Sequence, residues 1–205
     1  MDRQLHANVI ISFIHTLNSR TKNYILKGGT SLMLCYGLDR FSEDIDLDAF
    51  NTKEGIEPFV QEFCKSYKYT YRVAKNTETV KRYMIHYGSD KPLKVEISYR
   101  RSKISQTEVT NINNILVYTI ENLLTFKLNA YNSRDKIRDL YDVTFICRTY
   151  WNYLSDMQKT AVQDALSYKG LDYFDMLIRT QADELIDSNK LASDFLDLYA
   201  KLGLI

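Results

Sequence analysis

The residues that are scarce in this chain say first what it is not. Only two prolines and seven glycines occur in 205 residues, too few for a disordered or low-complexity polymer. With 45% hydrophobic and 26% charged residues, the balance is that of a globular protein. The three cysteines (Cys35, Cys64, Cys147) are odd in number, far apart and without a CxxC pair. That excludes a disulfide framework or zinc finger and points to reduced thiols in a cytoplasmic protein. The three histidines (His6, His15, His86) lack metal-ligand spacing, and HExxH, P-loop and GxSxG motifs are absent. No apolar run approaches the roughly 20 residues that span a bilayer. The start, MDRQLHANVIISFIHTL, lacks the basic stretch, apolar run and cleavage site of a signal peptide, so no membrane association is expected. A net charge of +1 leaves the choice of partner to local patterns.

Those patterns change along the chain. Residues 2–18 place Leu5, Val9, Phe13 and Leu17 on one stripe with Ile10 and Ile14 beside it, an amphipathic helix. SLMLCYGL, after a glycine pair, reads as a short buried helix ending near Gly37. Residues 56–66 form a connecting helix. Three alternating segments follow, YKYTYRVAK, VKRYMIHYG and LKVEISYR, parted by the turn-forming NTET and SDKP, and predict an antiparallel meander. From about residue 118 the periodicity is helical throughout. The expected class is α+β: a helix-flanked mixed sheet over residues 1–115, then a C-terminal helical domain over 116–205 packed against it.

The chemistry concentrates in LKGGTSLMLCYGLDRFSEDIDLDAF, residues 26–50. DIDLDAF alternates as a strand does, so Asp44, Asp46 and Asp48 share one face and Ile45, Leu47 and Ala49 the other. Neighbouring carboxylates then stand about 6.6 Å apart at their Cα atoms, within reach of a pair of divalent cations. The same spacing fits a solvated edge strand. The preceding GGTS follows an apolar YIL and opens a helix, where glycines admit a ligand to the backbone and the amides favour phosphate. Glu96, on the polar face of LKVEISYR with Lys94, supplies a third carboxylate if its strand neighbours the aspartates. Oxygen-only ligands of this kind suit Mg²⁺ or Mn²⁺. A surface Lys–Glu face explains Glu96 equally well.

Taken together, LKGGTSL…LDRFSEDIDL, VEIS, YTIENLLTFKLNAYNSR and KIRDLYDV resemble, in order and spacing over residues 24–146, the motifs of the AbiEii/AbiGii-type nucleotidyltransferases. These belong to the polymerase-beta-like superfamily and are known largely as toxins of toxin–antitoxin systems. The resemblance implies a nucleotidyltransferase fold and Mg²⁺-dependent transfer of a nucleoside monophosphate from NTP to an acceptor, RNA or tRNA by preference, with a cognate antitoxin as partner. It implies that Gly28, Gly29, Thr30, Ser31 and Ser42 serve the triphosphate and that Asp44, Asp46 and Glu96 hold metal. Glu96 would also help deprotonate the acceptor, Lys127 would contact nucleotide, and Asp139 and Asp142 of RDLYD would support the site. From the residues alone, Lys127 also reads as a snorkelling surface lysine, and Arg138–Asp142 as a helix-stabilising pair.

Local charge bears on the acceptor. Between Lys65 and Lys103 eleven basic residues face three acidic ones, with six tyrosines interleaved, a composition suited to RNA backbone and unstacked bases. Exposed sheet faces carry lysine and arginine without any such role. Besides the transferase, the sequence therefore leaves open an RNA- or partner-binding protein on the same fold and, less economically, a metal-dependent nuclease that leaves the glycine loop unused.

Overall fold

A computed structural model describes residues 2–50, 52, 54–101 and 103–205, and the chain divides after Thr119 into two compact units. In the first unit the described residues contain seven strands: β1 (Tyr24–Lys27), β2 (Ile45–Ala49), β3 (Thr70–Asn76), β4 (Val80–His86), β5 (Leu93–Ser98), β6 (Val109–Ile112) and β7 (Ile115–Tyr118). They make one mixed sheet in the order β3-β4-β5-β2-β1-β7-β6. Among the described residues three α-helices, α1 (Arg3–Arg20), α2 (Gly28–Tyr36) and α3 (Glu57–Tyr67), and a 3-10 turn at Gln106–Glu108 complete the unit.

The expected meander is β3–β4–β5, each strand antiparallel to the next. In β2 the alternation works as the pattern requires. Ile45, Leu47 and Ala49 join one core with Val9, Ile10, Phe13, Ile14 and Leu17 of α1 and Val60 and Phe63 of α3. The buried stripe of α1 begins at His6 rather than Leu5: His6, Ile10 and Ile14, four residues apart, line one side, while Leu5 is 39% exposed.

Two features lie outside the sequence expectations. β1 is four residues long, too short to display a period, yet it runs antiparallel to β2 and parallel to β7. The hairpin β6–β7 turns at Asn113–Asn114, whose φ values of 51° and 65° are the two positive angles that a two-residue hairpin turn demands. The helical pattern accordingly begins at Ile120.

The second unit is helical: α4 (Ile120–Ser133), α5 (Ile137–Tyr150), α6 (Asp156–Thr180) and α7 (Ser188–Lys201). Ser155 caps α6 through a reciprocal bond pair with Gln158, and the helix breaks at Gly170, whose φ is +71°. Phe174 and Phe195 stack with centroids 4.2 Å apart, and α5 packs against α4 and α7. Among the described residues no helix is long and apolar enough to cross a membrane.

One acidic residue of β2 is structural. Asp48 is buried, takes Lys27 Nζ at 2.5 Å and accepts the Tyr118 hydroxyl at 2.8 Å, so a single carboxylate ties β2, β1 and β7 together. Without its lysine the buried charge is left uncompensated, a loss that typically exceeds the worth of the pair. We therefore expect Lys27→Met to lower stability by on the order of 3 kcal/mol in urea denaturation; a variant as stable as the parent would show that Tyr118 alone satisfies Asp48.

Candidate active site

The two glycines are dictated by what they touch. Gly28 opens α2 with φ +75°, and a Cβ there would lie 2.9 Å from Asp46 Oδ2. A Cβ on Gly29 would stand 2.7 Å from Ser42 Oγ and 2.9 Å from Arg40 Nη2. Any side chain at either position would push the loop off the carboxylate strand. The neighbouring hydroxyls hold the loop together. Thr30 donates to the Asp44 carbonyl and lies 3.0 Å from Ser42 Oγ, and Ser31, fully buried, donates to the Gly28 carbonyl at 2.7 Å. The hydroxyls expected to meet phosphate are thus engaged within the motif. Arg40, buried beside Gly29, is a cation that the sequence reading passed over; its place within the RFSEDIDL string was the available signal.

The carboxylates meet through strand pairing. β2 and β5 run parallel in a register that sets Asp46 beside Glu96, while Lys27 pairs with Asp46 from β1. Asp44 lies one residue before β2 begins. Burial raises the Asp46 pKa above the ordinary carboxylate value, and the charges of Asp44 and Glu96 add to that against the opposing pull of Lys94 and Lys27. Two cations balance the crowd: Lys94 Nζ sits 2.6 Å from Asp44 Oδ2, and Arg82 Nη2 2.6 Å from Glu96 Oε2. Burial works against the Lys94 charge, but its hydrogen bond to Asp44 and the three acidic neighbours outweigh this and raise its pKa.

Among the described residues no three His, Cys, Asp or Glu side chains converge as a ready metal-binding group. Asp44 turns to Lys94 and Glu96 to Arg82. The donor chemistry nonetheless fits a hard divalent cation: all oxygen, mutually repulsive, and drawing counter-charge from two side chains.

In the helical unit Lys127, Asp139 and Asp142 are brought together. Lys127, only 12% exposed at its side chain, is no surface lysine: Nζ lies 2.6 Å from Asp142 Oδ2 and 4.0 Å from Asp139 Oδ1. Asp139 is also gripped by Arg134 through two bonds of 2.7 and 2.9 Å, and Arg138 pairs with Asp183.

A glycine-opened helix set against carboxylates on neighbouring strands of a mixed sheet is the architecture of a nucleotidyltransferase. The chain belongs to the AbiEii nucleotidyl transferase toxin family of type IV toxin–antitoxin systems, whose family model matches residues 16–201. A comparison with curated proteins finds no match. Among solved structures, JHP933 of Helicobacter pylori is 26% identical, with a TM-score of 0.79 over 98% of this chain and 91% of that one. A second H. pylori structure agrees equally, at 26% identity and TM-score 0.79 over 97% and 93%. MenT4, a nucleotidyltransferase toxin of Mycobacterium tuberculosis, is more distant at 17% identity and TM-score 0.46, over 91% and 75%. The protein is thus a toxin-family nucleotidyltransferase with NTP as its substrate.

Two stability measurements check the charge assignments. Because the folded state holds the Asp46 proton more tightly than the unfolded chain, metal-free stability falls as pH rises from the ordinary Asp value of about 3.9 through the raised one. Asp46→Asn is expected to melt above the parent at pH 7, the gap closing below that ordinary value; a lower melting temperature at pH 7 would make Asp46 a structural anchor. Lys127→Met removes the cation 2.6 Å from the fully buried Asp142, and calorimetry should register a loss of about 3–5 kcal/mol.

Proposed function

We propose that the protein transfers a nucleoside monophosphate from NTP to a hydroxyl of RNA, tRNA by preference, with Mg²⁺ or Mn²⁺ held by Asp44, Asp46 and Glu96. The observation that carries this reading is the contact between the glycine loop and the carboxylate strand, Gly28 lying against Asp46 Oδ2. Phosphate at the start of α2 and a cation at Asp46 would then be immediate neighbours, as phosphoryl transfer requires.

In this scheme the Gly28–Gly29 backbone admits the triphosphate, with Thr30, Ser31 and Ser42 fixing the loop that receives it. When bound, the metal supplies charge stabilisation at the attacking and leaving oxygens. Glu96 takes the proton of the acceptor hydroxyl as its oxygen bonds to the α-phosphorus, and pyrophosphate departs with the bridging oxygen. Lys94 and Arg82 release the carboxylates they neutralise and remain beside the anionic substrate.

The strand register supports a polyanionic acceptor. Residues directly opposite in an antiparallel pair share a face. Lys75 opposes Arg82, which opposes Glu96; Arg72 opposes Met84, which opposes Lys94. Of the many basic residues in this region, these four line the carboxylate side of the sheet out to its β3 edge. Lys65 instead belongs to α3, among the helices covering the other face. A cognate antitoxin is the expected protein partner.

Incubation with each α-labelled NTP, Mg²⁺ and total RNA, with Asp46→Asn alongside, tests the proposal. Label on an RNA band with the parent protein only is expected, with EDTA abolishing it. Label on protein instead of RNA would overturn the acceptor. No label, with RNA still bound, would leave a binding protein on a transferase fold.

A further inference from the structure

His6 is a buried side chain of α1 that reaches the segment bearing Asp44, and its partners say why. Asp46 is fixed by ladder pairing on both sides, to Lys27 and to Glu96. Asp44 has no such support: it precedes β2, and residues 41–44 belong to no strand. Side chains hold that segment instead. Thr30 bonds the Asp44 carbonyl, and one peptide earlier the Glu43 carbonyl lies 2.7 Å from His6 Nε2.

The imidazole is 1% exposed and uses both nitrogens. A carbonyl can only accept, so Nε2 carries a proton and donates to Glu43, while Nδ1 bonds the hydroxyl of Tyr87, itself buried. Edge-on contacts with Phe41 at 5.9 Å and Tyr87 at 5.5 Å fix the ring plane. Glu43 is further tied down by Lys91, 2.6 Å from its carboxylate.

We propose that His6 is a positioning residue for Asp44: by holding the Glu43 carbonyl it sets the backbone from which Asp44 reaches the divalent cation. This rests on the reading of Asp44 and Asp46 as metal ligands. His6 precedes the matched family segment, which starts at residue 16.

The test compares Mn²⁺ binding by electron paramagnetic resonance, alongside NTP-dependent transfer, in the parent, His6→Leu, His6→Gln and Val9→Ala. Losing an outer-shell partner of this kind should weaken Mn²⁺ binding roughly 10–100-fold in His6→Leu. His6→Gln, whose amide can still donate to Glu43, should recover most of that affinity. Val9→Ala, which thins the same helix's packing, should lower the melting temperature while leaving Mn²⁺ affinity unchanged. Unaltered affinity in His6→Leu overturns the inference, as does an equal loss in the Leu and Gln variants or a comparable loss in Val9→Ala. Should His6→Leu fail to fold, Tyr87→Phe removes only the bond at Nδ1; weaker Mn²⁺ binding is expected, and full affinity overturns the inference. A parent protein that binds no Mn²⁺ sinks the metal reading and this inference with it. Normal parental binding with insensitive variants sinks this inference alone.

Discussion

Two carboxylates, Asp46 and Glu96, are forced side by side by the parallel pairing of β2 with β5, and Asp44 stands just ahead of them. Like charges so placed raise one another's proton affinity unless something neutralises them, and the surrounding structure is arranged around that constraint. Lys94 and Arg82 supply counter-charge from within the same sheet. Gly28 keeps α2 close enough for its backbone to lie against Asp46. On the opposite face Ile45, Leu47, Ala49, Val95 and Ile97 enter the core shared with α1 and α3.

The buried charges elsewhere obey the same rule, each matched by a specific partner because an unpaired one could not be accommodated. Asp48 holds three strands through Lys27 and Tyr118, and Tyr118 in turn accepts a bond from Arg101 at 3.1 Å. In the helical unit Lys127 with Asp142, Arg134 with Asp139 and Arg138 with Asp183 bind the turns around α5. Ionic bonding of this density fixes side-chain positions more than it adds net stability. Fixed positions are what a site for phosphoryl transfer needs, since its catalysis is chiefly placement and charge.

Function follows from where that arrangement is open. The cationic side chains on the carboxylate face run outward through Arg82 to Lys75 and through Met84 to Arg72 at the sheet edge. A nucleotide held at the glycine loop and a polyanion lying along this face would share the same carboxylates. The carboxylates and the cationic row thus lie on one side of one sheet.

The period-2 alternation of β2 to β5, the helical stripes and the glycine-bearing motif were legible in the sequence, because each is a local pattern that the backbone period enforces. β1 and the β6–β7 hairpin were not, since four-residue strands carry too little alternation, although the Asn113–Asn114 pair was a turn signal in plain view. The three candidate metal carboxylates could be named from spacing and resemblance, but their partners could not. That Asp48 is an internal strut, that Lys94 and Arg82 occupy Asp44 and Glu96, and that His6 grips Glu43 depend on contacts between separate elements of the chain. The sequence by itself determined which residue types face together along each element. Only the tertiary structure decided which charge meets which, because strand order and register, not local spacing, set those distances.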